Sequence, residues 1–220
     1  MGGRSLSEYR SYEELLMRLS AKQFKWVKYL LHIGAVIPML WLLACLLLGT
    51  LGGDPVQYII HFNGEVAVIL LILTMLISPI ATRFKLGQLV QLRKTLGLYC
   101  YLYATLHILS YFGLDLLFDT QLFINELLKR PYIYVGATAY LILSVLAITS
   151  INRIKRRIGR YWQKIHNWIY AVMLLVPLHY IWSEKTVSIA AIIYSLLLLM
   201  LLVERSNKLH KFVALRRMQL

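Results

Sequence analysis

The chain has 220 residues, of which 59% are hydrophobic and only 15% charged, and its mean hydropathy is +0.63. That balance excludes an ordinary soluble domain, in which about a quarter of the residues carry charge. The net charge of +14 is strong enough to suggest nucleic acid, but its placement along the chain follows the apolar segments and points to a membrane instead.

Residues 1–22 read as a polar cytoplasmic extension without the apolar region or cleavage site of a secretory signal. Ser11 and Glu14 fit a capping box, with Leu15, Leu16 and Leu19 available to an interface. Six apolar segments follow, at roughly 24–48, 64–82, 95–113, 132–150, 163–182 and 187–204. Each is near the ~20 residues that cross a ~30 Å hydrocarbon core. Lipid offers no partner to a bare backbone group, so the segments are helices rather than open strands. The expected fold is an all-α membrane protein, a six-transmembrane-helix bundle over 23–204, with a basic cytoplasmic tail at 205–220. Gly52, Gly53, Asp54 and Pro55 should break the chain between the first two spans. The stretch DLLFDTQLFINELLKRP suits a short interfacial helix, and Pro131 suits the first turn of the fourth span. Cys45 and Cys100 have no CxxC spacing and read as packing residues. No GxGxxG or GxxxxGK[ST] motif is present, so nothing points to a dinucleotide fold or P-loop.

Of the 24 Lys and Arg residues, all but Lys129, Arg130 and Lys185 fall in four blocks. These blocks are Arg4 to Lys28, Arg83 to Lys94, Arg153 to Lys164 and Arg205 to Arg217. With six spans all four lie on one side, and the positive-inside rule makes that side cytoplasmic, with both termini inside.

Three histidines lie in apolar segments, where an imidazole without a partner is costly. His107 is in LGLYCYLYATLHILSY; His166 and His179 are in YWQKIHNWIYAVMLLVPLHYIW. Spans three and five run parallel, which puts His107 and His179 in the outer half of the membrane, where they could ligate one haem between them. A structural hydrogen bond across helices is the plainer alternative for each. His166 sits ~20 Å from His179 along a helix axis, but ~140° away in phase, so the ligand reading needs an adjustment such as a kink at Pro177. Opposite His166, span three offers Arg93 and Lys94, which suit haem propionates or a flavin phosphate rather than iron. The outer site is therefore expected to be well formed and the inner site weaker, holding a flavin or a second haem. His32 reads as structural and His210 as solvated, while His61 could contact a quinone, a haem propionate or a partner, or be an exposed interfacial histidine.

The stretches DPVQYIIHFNG, RKTLGLYCYLYATLHILSY, KRPYIYVGATAYLILSVLAITS and IGRYWQKIHNWIYAVMLLVPLHYIW occur in an order and spacing that resemble the ferric-reductase-like transmembrane family. Within it, the chain resembles haem-binding membrane subunits of periplasmic protein-methionine-sulfoxide reductase systems. The resemblance implies haem b between His107 and His179, a second site at His166, and FMN. It implies an electron-transfer subunit of the bacterial inner membrane rather than the catalytic reductase. Electrons would come from the quinone pool or a cytoplasmic flavin reductase and pass to a periplasmic molybdopterin-containing reductase that repairs oxidised proteins. The alternatives are a ferric or quinone oxidoreductase without that partner and, from another class, a membrane transporter or anchor.

Overall fold

The computed structural model describes residues 19–184 and 188–217, with 206–217 described by their backbone alone. Every regular element among the described residues is helical. The capping box expected at Ser11 and Glu14 lies outside them. The first described helix, α1 (Ala21–Leu47), has a capping box of its own. Ser20 Oγ accepts from the Gln23 backbone at 3.2 Å, and Gln23 Oε1 accepts from the Ser20 backbone at 2.9 Å.

Helix α2 (Pro55–Arg83) starts well before the apolar run predicted from 64. Asp54 caps it by accepting from Gln57 N at 3.1 Å, and Pro55 occupies the first turn. The next helix, α3 (Leu92–Ser110), is entered through a 3₁₀ segment at Gly87–Gln91 and left through a π turn at Tyr111–Asp115. Leu117 and Phe118 then adopt left-handed backbone angles (φ 50° and 62°). They turn the chain into α4 (Thr120–Lys129), bent 114° from the helix before it. This is the short helix expected from DLLFDTQLFINELLKRP. Pro131 opens α5 (Pro131–Thr149), also as expected.

The fifth predicted span, 163–182, is not one helix. After α6 (Asn152–Ile158), the chain forms α7 (Trp162–His166), turns at Asn167 and Trp168, and continues as α8 (Ile169–Ser183). α8 runs through Pro177 without interruption, so the break in helix between His166 and His179 is the earlier turn and not the proline. The last helix is α9 (Ile189–Arg217).

α1, α2 and α5 are long and apolar enough to cross a membrane, and α3 with the bent α4 makes a fourth candidate. α8 has 15 residues, fewer than the ~20 a straight span needs. The molecule is a multi-pass membrane protein. α2 packs along α3 and α5 along α8; α3 touches α5, and α9 closes against α8 and α2. Met75, Tyr103, Val172, Met173 and Leu198 are fully buried where these helices meet. Hydroxyls inside the helices are satisfied locally: Thr74, Thr105, Thr138 and Ser144 each donate to the carbonyl one turn earlier.

Basic residues from distant parts of the chain converge at one end. Lys28 and Lys94 line one cavity of about 540 Å³. Lys94 Nζ donates to Asn152 Oδ1 at 3.0 Å, and Arg93 lies within electrostatic range of Arg205. Asp54, Asp115, Arg130 and Glu184 cluster around a second cavity at the other end.

α1 is the loosest member, with Ala35 as its one buried residue among those described. Tyr103 of α3 ties it down. Its hydroxyl donates to Ala35 O at 2.7 Å and accepts from Met39 N at 3.1 Å, so it occupies both partners of one rung of the helix ladder beside Pro38. Tyr103→Phe should cost about 1 kcal/mol, since it strands two backbone groups. The apparent melting temperature in detergent should fall by a few degrees; an unchanged value would mean that apolar contact alone holds α1.

Candidate functional site

The larger cavity, about 790 Å³, lies between α2, α3, α5 and α8. α3 presents Cys100, Ala104 and His107 to it at turn-by-turn spacing, and α8 presents Val176, His179 and Tyr180. Facing them, Ala67 and Leu71 on α2 and Ala139 and Leu143 on α5 form apolar walls.

His107 and His179, far apart in sequence, meet here. Their ring centroids are 6.1 Å apart, with the planes at 79°. His107 Nδ1 donates to Ile60 O at 2.8 Å, and His179 Nδ1 donates to Tyr132 O at 2.7 Å. A carbonyl can only accept, so each Nδ1 carries the proton and each Nε2 keeps its lone pair. Neither Nε2 is hydrogen-bonded among the described residues. That tautomer is the one a metal requires when it binds through Nε2.

The spacing fits a single metal held on both sides. Two imidazole–metal bonds of ~2 Å put the ring centroids ~6 Å apart. Among the described residues no group of three or more His, Cys, Asp or Glu side chains could hold a bare ion. A two-nitrogen donor set facing a largely apolar cavity suits a metal that brings its own ring of ligands, as haem iron does. The donors, their tautomer and the room between them fit that group.

His61 and Glu65 of α2 also line the cavity, and Glu65 Oε1 accepts from Tyr194 OH at 3.1 Å. At the end away from the basic cluster Arg130 donates to Tyr132 OH at 3.0 Å and pairs with Glu126. Sequence reasoning missed Glu65 and Tyr194. A lone acid one turn after His61 in an otherwise apolar run was the available signal.

The other candidates gather at the basic end, away from this cavity. His166 Nε2 lies 3.2 Å from Thr149 Oγ1, and its ring stacks on Trp162 at 4.1 Å. Trp162 is held by a bond from its Nε1 to Thr149 O at 3.1 Å, with Lys155 Nζ 4.2 Å from its ring centre. Arg93 and Lys155 are within electrostatic range of His166, whereas Lys94 is engaged by Asn152. Among the described residues, Arg93 Nε and Arg205 Nη2 are buried without a hydrogen-bond partner, while Arg205 Nη1 donates to Tyr170 OH at 3.2 Å. His32 Nδ1 lies 2.8 Å from Tyr99 OH between α1 and α3, in keeping with a structural role.

Residues 63–177 match the ferric reductase like transmembrane component family. The chain is 43% identical over 190 residues to the protein-methionine-sulfoxide reductase heme-binding subunit MsrQ of Yersinia pseudotuberculosis serotype O:1b, covering 86% of this chain and 94% of that protein. It is equally similar to the MsrQ proteins of two Yersinia pestis strains, Pestoides F and Angola, covering 92% of each.

Because His166 is turned toward Thr149 and Trp162, His166→Ala should leave the His107–His179 pair untouched. Haem per protein and the position of the reduced absorption bands should match the unsubstituted protein. Loss of half the haem would make His166 an axial ligand instead.

Proposed function

The chain belongs to the ferric-reductase-like transmembrane family, and from that premise we propose that it carries electrons across the bacterial inner membrane for a protein-methionine-sulfoxide reductase. The reading rests above all on the two imidazoles 6.1 Å apart, each with Nδ1 committed to a helix carbonyl and Nε2 free. His107 and His179 would hold haem b, which would supply a one-electron centre. Ala67, Ala104 and Leu143 line the cavity beside them and would exclude water from such a group and so help set its potential. Arg130 at the outer end suits the group's carboxylates.

The inner cluster is a weaker site, and it suits an anion better than a second iron. Arg93 and Arg205 bring guanidinium nitrogens without hydrogen-bond partners among the described residues, Lys94 adjoins Arg93 in sequence, and His166 has its Nε2 engaged. FMN is the cofactor that fits, through its phosphate. Six spans place both termini in the cytoplasm, with α3 as the third span and α7 with α8 as the fifth. The division is a cytoplasmic extension at 1–22, the bundle at 23–204 and a basic tail at 205–220. Electrons are received on the basic side, from quinol or from a flavin reductase whose acidic surface the lysines and arginines can steer. They are delivered outside to a molybdopterin-containing reductase, which performs the chemistry on methionine sulfoxide.

Two measurements test this. The dithionite-reduced spectrum of the purified protein should be that of haem b, and it should be lost in both His107→Ala and His179→Ala. A haem-free protein from haem-supplied cells would end the electron-transfer reading. Alkaline phosphatase fused after Asp54 should be active and fused after Lys85 inactive; the reverse would invert the topology.

A further inference from the structure

The two imidazoles are held by the same device, built twice. His107 follows its acceptor, Ile60, by 47 residues, and His179 follows its acceptor, Tyr132, by 47 residues. In each case a glycine lies one turn after the acceptor: Gly64 on α2 and Gly136 on α5. A helix carbonyl is normally covered by the side chain and backbone of the following turn, so a third group can reach it only where that turn is bare. Both glycines provide this opening. A Cβ on Gly64 would lie 3.0 Å from His107 Nδ1 and 3.2 Å from its Cε1. A Cβ on Gly136 would lie 2.7 Å from both Nδ1 and Cε1 of His179.

We propose that Gly64 and Gly136 are positioning residues for the two haem ligands, each holding open the helix carbonyl that fixes an imidazole's rotation and tautomer. The proposal rests on the haem reading above. A methyl group at either position must push the ring away, and the ring then loses the bond that keeps its proton on Nδ1 and aims Nε2 at the cavity. The effect should be graded, larger at Gly136, where the approach is closer. Gly97 is the internal control, since a Cβ there meets only Thr74 Cγ2 at 3.9 Å.

The test compares Gly136→Ala, Gly64→Ala and Gly97→Ala as full-length protein loaded with haem in cells. It reads haem affinity, the low-spin EPR signal and the midpoint potential. Outer-shell partners of metal-bound histidines are commonly worth 10–100-fold in affinity. Gly136→Ala should therefore lose about tenfold or more in haem affinity, with a high-spin signal and a displaced potential. Gly64→Ala should change in the same direction but less, and Gly97→Ala should match the unsubstituted protein. Unaltered EPR and potential in both test variants would overturn the proposal. So would failure of both to fold while Gly97→Ala folds, because the glycines would then serve helix packing alone. If the unsubstituted protein holds no haem, the haem reading itself fails, a result distinct from either.

Discussion

Two imidazoles can remain inside this apolar bundle because each gives its Nδ1 proton to a helix carbonyl. A buried imidazole with an unmet proton would be expensive. The bonds from His107 to Ile60 and from His179 to Tyr132 remove that cost and fix which nitrogen faces the cavity. They also dictate which helices must be neighbours. α3 is bound to α2 and α8 to α5 at the level of the two histidines, and these are the pairs that pack along one another. The cavity is the space left where the two pairs face each other.

The paired histidines were legible in the sequence because few residue types are as conspicuous in an apolar run. So were the breaks at Gly52–Pro55 and Pro131, which act through backbone rules that need no tertiary context. The geometry between His166 and His179 was not legible. Periodicity treats 163–182 as continuous, and nothing local announces the turn at Asn167 and Trp168. That turn goes with contacts to another helix, where Trp162 Nε1 reaches Thr149 O and His166 Nε2 lies beside Thr149 Oγ1. The glycines opposite the two histidines were invisible for a related reason. A glycine within a helix reads as a mild defect until the ring packed against it is known.

The two ends of the bundle differ in how firmly they are specified. Around the histidine pair, the hydrogen bonds are short and the walls are apolar. At the basic end, Arg93 and Arg205 each keep a buried nitrogen without a hydrogen bond among the described residues, and the two guanidinium groups lie within electrostatic range of one another.

The convergence of basic residues at one end has an electrical meaning. With that end in the cytoplasm, the molecule's fixed positive charge lies on the negative side of an energised membrane, so the resting potential favours its orientation. The same field acts on the cargo. An electron leaving the cytoplasmic face for the outer one moves toward the positive side and gains about 2.3 kcal/mol per 100 mV if it crosses the whole drop. On the proposed reading, export of reducing power through this protein is coupled to the voltage of the cell, and reductive repair outside the membrane would draw on respiration as well as on the donor's own reducing strength.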